Sequence, residues 1–192
     1  RYGIFPDYKA NRRNQPKPRH LENIREYMVL DWDARICDGY EADDQLGMDA
    51  YNGSGNKHII CSIDKDLLQL RGTHYNFVKR EIKEVDEFGG AVQFYTQLLV
   101  GDPTDNIRGC PGIGKVKAAR AFVGCNTERQ LYDKCVELYK VAYGETVNEG
   151  VPRWEKELTM NAQLLYVLRS EGDSWKAPQE MPPPVLEVKQ SS

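Results

Sequence analysis

Apolar positions along the first twenty residues are sparse and follow no period, and the segment RYGIFPDYKANRRNQPKPRH is polar, basic and rich in chain breakers. That pattern predicts an extended loop feeding a helix over residues 21–32, where apolar residues recur at helical spacing. Residues 35–40 read as a short strand, and EADDQLGMDAY opens a helix on acids that stops at Asn52-Gly53, before a Gly-Ser-Gly turn. The apolar run of residues 57–63 predicts a buried strand, DKDLLQL a strand-end loop tipping into one helical turn, and residues 75–85 a hairpin. Phe88, Ala91, Val92, Tyr95, Leu98 and Leu99 place one core face on a helix over residues 87–100. A glycine-rich loop follows, then helices over residues 115–123, 128–142 and 153–169, so the last third is read as helical. From Ala177 the Pro-Pro-Pro run and low apolar content predict a flexible tail.

This alternation of short strands and helices places the chain in the α/β class. We expect a metal-binding core over residues 1–100, a helical subdomain over 101–175 and a tail over 176–192. A length of 192 residues is enough to bury a substantial core. With 40% hydrophobic residues and no long apolar run, no membrane span and no signal peptide are expected. The cysteines Cys37, Cys61, Cys110, Cys125 and Cys135 are odd in number and never form a C-x-x-C pair, which argues against a disulfide framework or a zinc site and for a reducing cytoplasm. The net charge of −3 is a poor footprint for a phosphate binder. Its distribution is more telling: basic residues gather before position 36 and over residues 108–120, with acidic clusters between.

Glu41, Asp43 and Asp44 form one acidic cluster, Asp64 and Asp66 a second, and Asp102 and Asp105 a third. The first two follow predicted strands, and strand ends of an α/β sheet converge on one edge. Singly, each has an ordinary explanation, since acids offset a helix dipole and Asp caps turns. Together they repel: at an effective dielectric near 20, two like charges about 5 Å apart cost on the order of 3 kcal/mol. Bound cations relieve that repulsion. Carboxylates without nearby His or Cys select hard ions, Mg²⁺ or Mn²⁺, and His20, His58 and His74 are too scattered to build a softer site. Magnesium takes phosphate oxygens as remaining ligands, which points to phosphoryl chemistry.

Gly109-Cys-Pro-Gly-Ile-Gly114-Lys115 has P-loop spacing, but Val116 stands where a Ser or Thr should reach magnesium, and no strand precedes it. A helix-hairpin-helix is the better reading. There Pro111 stiffens the turn, Gly112 and Gly114 let a phosphate approach backbone, and Lys115, Lys117 and Arg120 add charge. Such a grip depends on shape and salt rather than base sequence. A plain helix-turn-helix corner with a solvated basic face is the competing explanation.

Four stretches, PDYKANR at 6–12, GYEADD at 39–44, SIDKDLLQL at 62–70 and GDPTDNIRGCPGIGKVKA at 101–118, jointly resemble the 5′-nucleases: flap endonucleases, phage 5′→3′ exonucleases and the 5′-nuclease domain of bacterial DNA polymerase I. NAQLLYVLR further on is only loosely similar. The resemblance implies a PIN-like parallel-sheet core followed by a helix-hairpin-helix (H3TH) subdomain, with two Mg²⁺ or Mn²⁺ ions held directly or through water by Glu41, Asp43, Asp44, Asp64, Asp66, Asp102 and Asp105. It further implies in-line attack of an activated water on phosphorus, leaving a 5′-phosphate and a 3′-hydroxyl. By the same resemblance Lys9 stabilises the phosphate transition state with Arg12 beside it, Tyr8 stacks on a terminal base, Arg108 and the hairpin hold duplex DNA, and K⁺ sits on hairpin carbonyls.

The family begins with a buried strand carrying an early Asp, and places a further Asp ligand shortly before the position of Arg1. Both lie upstream of this sequence, so the core is expected to lack its first strand. The chain is then a fragment, half of a split enzyme completed by a second polypeptide, or a copy that only binds DNA. A 5′-nuclease acting on DNA ends, flaps or nicks in a bacterial or phage-infected cytoplasm is the leading reading, a non-catalytic structure-selective DNA-binding module the alternative, and a magnesium phosphatase for small substrates a third.

Overall fold

The computed structural model describes residues 1, 3–52, 58–148 and 150–179. The opening loop forms turns and a short 3₁₀ helix, Ala10–Arg12, and then enters α1 (Leu21–Trp32). Helix α2 (Ala42–Asn52) starts one residue after Glu41, with Asp43 and Asp44 in its first turn where the helix dipole favours negative charge. The predicted strand at residues 35–40 does not form. That segment turns instead, with Gly39 at φ 79°, a left-handed conformation incompatible with a pleated strand.

Strand β1 (Ile59–Cys61) pairs parallel with β2 (Gly72–Asn76), which pairs antiparallel with β3 (Glu81–Val85). The expected parallel sheet is therefore mixed, one parallel and one antiparallel pair, because the tight turn between β2 and β3 can only return the chain antiparallel. Nor is β1 buried: it is an edge strand in which only Ile60 faces inward. The Gly-Ser-Gly turn, Lys57 of the expected strand and residues 180–192 of the expected tail lie outside the described residues.

Helix α3 (Glu87–Val100) carries the main core. Asp86 caps it by accepting from the Gly89 N–H, and its buried face, Ala91, Phe94, Tyr95, Leu98 and Leu99, packs on α5 (Glu128–Tyr143) and α6 (Arg153–Leu165). Helix α4 (Lys115–Ala121), the loop before it and the residue after it add Ile107, Cys110, Ala118 and Phe122 to this cluster. The core thus begins within the segment assigned by sequence to the first domain. A capping box, Thr127 with Gln130, starts α5, and a two-residue hairpin pair, β4 (Val147–Asn148) and β5 (Val151–Pro152), leads into α6. Trp175 folds back onto the same core, beside Phe94 and Tyr132. Under the sheet lies a much smaller cluster, Ile60, Leu67, Leu70 and Val167. Among the described residues no helix is long and apolar enough to cross a membrane.

Candidate active site

The seven acids do not meet in one pocket. They form two adjoining groups, interleaved with the protein's own cations. In the first, Glu41, Asp43 and Asp44 each offer a carboxylate oxygen within 4.8 Å of the others. The Arg1 guanidinium donates to Asp44 at 2.8 and 3.0 Å and to Glu41, and approaches Asp43 at 4.0 Å. Lys9 Nζ donates to Glu41 at 2.7 Å and lies 3.7 Å from Asp105, which also pairs with Arg12 at 2.9 Å. The 7–12 segment reaches these acids because it runs along the turn at 102–106: the Lys9 N–H donates to the Asp105 carbonyl, and Asn106 Nδ2 to the Asp7 carbonyl.

The second group is Asp64, Asp66 and Asp102. The Asp64 N–H donates to Ser62 Oγ and Asp64 Oδ1 accepts from the Asp66 N–H, which fixes the strand-end turn after β1. Lys65 Nζ lies 3.1 Å from Asp102 and 3.6 Å from Asp66. Asp102 caps the following 3₁₀ turn by accepting from the Thr104 N–H. That turn, Pro103–Asp105, joins the two groups, with Asp102 in one and Asp105 in the other.

The titration of these acids separates neutralised from exposed charge. Burial pushes the Glu41 carboxyl up, but the Lys9 hydrogen bond and the Arg1 charge win and hold it below its usual range. Asp102 behaves likewise: burial opposes ionisation, and Lys65 and the Thr104 N–H overcome it. Asp43 goes the other way, raised first by burial and then by Asp44 and Glu41 against the pull of Arg1. Asp66 is pushed up to about 6 by burial and by Asp64, although Lys65 and Gln97 pull it down. Among these perturbed acids, Asp43 and Asp66 are therefore the ones the protein's own cations leave short of positive charge.

Tyr8 corrects an expectation. Its ring is 1% exposed and its hydroxyl lies 3.1 Å from both Glu41 and Asp105, so it ties the first acidic group to the 102–105 turn and offers no face to a base. Lys9 and Arg12 do border the acids as expected. Arg108, Lys115, Lys117 and Arg120 are all exposed on the glycine-rich loop and α4, and Lys117 Nζ closes the turn by donating to the Gly112 carbonyl at 2.8 Å. Gly112 has φ 74° and open space around its Cα, and Gly114 caps α4 with nothing nearby, so both leave backbone accessible. The glycines that build the loop are others. A Cβ on Gly101 would lie 2.4 Å from the Ile107 carbonyl oxygen, and one on Gly109 2.4 Å from the Gly101 nitrogen, so two backbone segments cross there in contact.

Arg1, Lys65, Gln69 and Gln97 were not singled out by sequence. Signals existed for two: Lys65 sits between two site acids, and Gln97 is a polar residue on the apolar face of α3. Carboxylates of this kind suit a hard divalent cation, and Asp43 and Asp66, left short of positive charge, are placed to accept one.

The family described as 5′-3′ exonuclease, N-terminal resolvase-like domain, matches residues 1–95. A 5′-3′ exonuclease of Mycobacterium tuberculosis is 28% identical over 62% of this chain and 48% of its own length, and a DNA polymerase I of Borreliella burgdorferi is 30% identical over 91% of this chain and 20% of its own. The chain thus spans under half the length of either relative. Among solved structures, the T5 D15 protein co-crystallised with metal ions superposes with a TM-score of 0.62 at 18% identity, covering 85% of this chain and 68% of that one. The same D15 protein is described as a flap endonuclease in a pseudo-enzyme-product complex with DNA and metal ions, with a TM-score of 0.56. The matched segment holds the first two acidic clusters, the fold of the chain agrees with that neighbour, and residues 1–95 belong to the N-terminal domain family of the 5′-3′ exonucleases.

Proposed function

We propose that this chain forms the metal-binding and DNA-gripping part of a 5′-nuclease that hydrolyses phosphodiester bonds in structured DNA. The observation that carries the reading is the division of labour among the acids. Arg1, Lys9, Arg12 and Lys65 neutralise some of them, while Asp43 and Asp66 stay under-matched, in a chain whose glycine-rich loop and following helix expose Arg108, Lys115, Lys117 and Arg120. Asp43, Asp64 and Asp66 would hold Mg²⁺ or Mn²⁺ with support from Glu41, Asp44, Asp102 and Asp105, and two ions suit the two groups. When bound, such ions activate water and neutralise charge on the reacting phosphate. Lys9 holds Glu41 in place and keeps a cation at the border of the acids, where a scissile phosphate would lie. The hairpin grips phosphates without reading bases, and a K⁺ ion on its carbonyls fits that role.

Among the described residues no strand pairs with the outer edge of β1, which supports the reading that a further strand, from a preceding segment or a second polypeptide, completes the sheet. The test is Mg²⁺-dependent cleavage of 5′-flap and nicked duplexes, by this chain alone and joined to the segment encoded upstream of it. We expect cleavage by the joined protein and a loss on the order of a hundredfold or more in Asp66→Asn. Salt-sensitive duplex binding with no cleavage by the joined protein would overturn the nuclease reading and leave a DNA-binding module. Failure to bind duplex DNA would point to a phosphatase for small substrates.

A further inference from the structure

Both acidic groups are tied to one short piece of chain that the sequence leaves unremarked. At the end of α6, the Leu165 carbonyl accepts from Gln69 Nε2 at 3.0 Å and the Tyr166 carbonyl from Arg1 Nη2 at 2.8 Å. The Val167 N–H donates to Gln69 Oε1 at 3.4 Å, and the Leu168 N–H to Asp44 Oδ1 at 3.1 Å. Gln69 passes the connection on: its Nε2 donates to Gln97 Oε1 at 2.9 Å, and Gln97 Nε2 donates to Asp66 Oδ1 at 2.5 Å. Gln69 and Gln97 are buried, at 2% and 4% exposure, so neither amide can exchange these partners for water without cost. Helix α2 lies directly against the same piece, because a Cβ on Gly47 would meet the Leu168 carbonyl oxygen at 2.2 Å.

We propose that residues 165–168, with Gln69 and Gln97, form a positioning brace that sets the two carboxylate groups relative to each other, gripping one through Asp44 and Arg1 and the other through Asp66. The orientation of each amide follows from its partners. Gln97 must turn its oxygen to Gln69 and its NH₂ to Asp66, since an ionised carboxylate only accepts. Asp66 is therefore presented with one oxygen fixed by Gln97 and the other available to a ligand. A brace of this kind also explains why a helical body carries acids that lie on the sheet half: the fixed points are main-chain groups just past a helix anchored in the main core. Gln97 and Gln69 act through Asp66 and are positioning residues, touching neither substrate nor ion.

The inference rests on the proposal that these acids bind divalent ions. The probe is Mn²⁺, with free ion measured by electron paramagnetic resonance, on the parent chain, Gln97→Met, Asp66→Asn and the double variant, with thermal midpoints of all four recorded in parallel. Met keeps the length and volume of Gln without its amide. Outer partners of metal ligands typically contribute 10- to 100-fold in affinity, so Gln97→Met is expected to weaken Mn²⁺ binding by about tenfold in the parent and to change nothing in the Asp66→Asn background. Equal affinity of Gln97→Met and the parent overturns the brace, and so does a tenfold loss that persists when Asp66 is already Asn, which is the mark of a merely structural residue. If Gln97→Met does not fold, Gln97→Asn, whose amide falls one methylene short of Asp66, is read in the same four-way comparison. A parent that binds no Mn²⁺ overturns the metal reading itself, and the brace with it.

Discussion

Helices α1 and α3 have similar lengths and similar apolar stripes, yet α3 buries seven residues and α1 none. Leu21, Ile24, Tyr27, Met28 and Trp32 follow the same helical spacing that Ala91, Phe94, Tyr95, Leu98 and Leu99 follow, but Ile24 and Trp32 stay 55% and 66% exposed. The difference extends to the two halves of the chain. From α3 onward, four helices close on a continuous core, whereas among the described residues the half that carries most of the acids has the four-residue cluster under the sheet and lends Tyr8 to the main core. Most of the acids therefore sit on the thinly packed side and are held by hydrogen bonds and ion pairs to the thickly packed one.

Truncation in each half tests this contrast most directly. Leu98→Ala, at a fully buried position, is expected to cost about 2–5 kcal/mol, and Leu30→Ala on α1 less than about 0.5 kcal/mol, by denaturant midpoint. Comparable losses at the two positions would erase the distinction. The crossing of the glycine loop comes next. Gly101→Ala adds about 1–3 kcal/mol of backbone strain at φ 77° and drives a Cβ into the opposing chain, so it should destabilise the helical half and abolish salt-sensitive duplex binding together.

A charge variant probes the thin side. The Asp66 carboxyl, at about 6 when folded and near 4 when unfolded, binds more protons in the folded state. Its contribution is therefore favourable in acid and is lost as pH rises from about 4 through 6. Asp66→Asn should stabilise the chain by on the order of 2 kcal/mol at pH 8 in chelator, and should leave stability at pH 4 nearly unchanged. It should also remove the stabilisation that divalent ions give the parent. A destabilised Asp66→Asn at pH 8 would mean that the acid is satisfied without a metal. The smallest effect is expected at Gly112, where space is open and only the left-handed backbone resists: Gly112→Ala should cost about 1 kcal/mol, with weakened duplex binding measured by salt titration.

Much of this was legible in the sequence because it is local. Helix α3 begins and ends where periodicity and its flanking residues place it, α1 matches its expected span, and Gly109 and Gly112 take left-handed backbone in the loop before α4. Residues 35–40 were misread because a short apolar alternation is compatible with a turn as well as a strand, and nothing within the segment chooses between them. Tyr8 was given an exposed role for a similar reason: aromatic and basic neighbours describe a surface equally well whether the ring points out or under the 102–105 turn.

By itself, the order of residues determined the α/β class, most of the helices, the three acidic clusters with their strand-end and helix-start positions, and the exposed basic stretch over residues 108–120. All of these depend on interactions within a few residues, which spacing and composition record. Tertiary structure alone decided that the acids divide into two groups, that Arg1 and Lys65 enter them, and that residues 165–168 tie both groups to the main core. Those outcomes join positions up to 165 residues apart, and a hydrogen bond across that separation leaves no trace in the local pattern at either end.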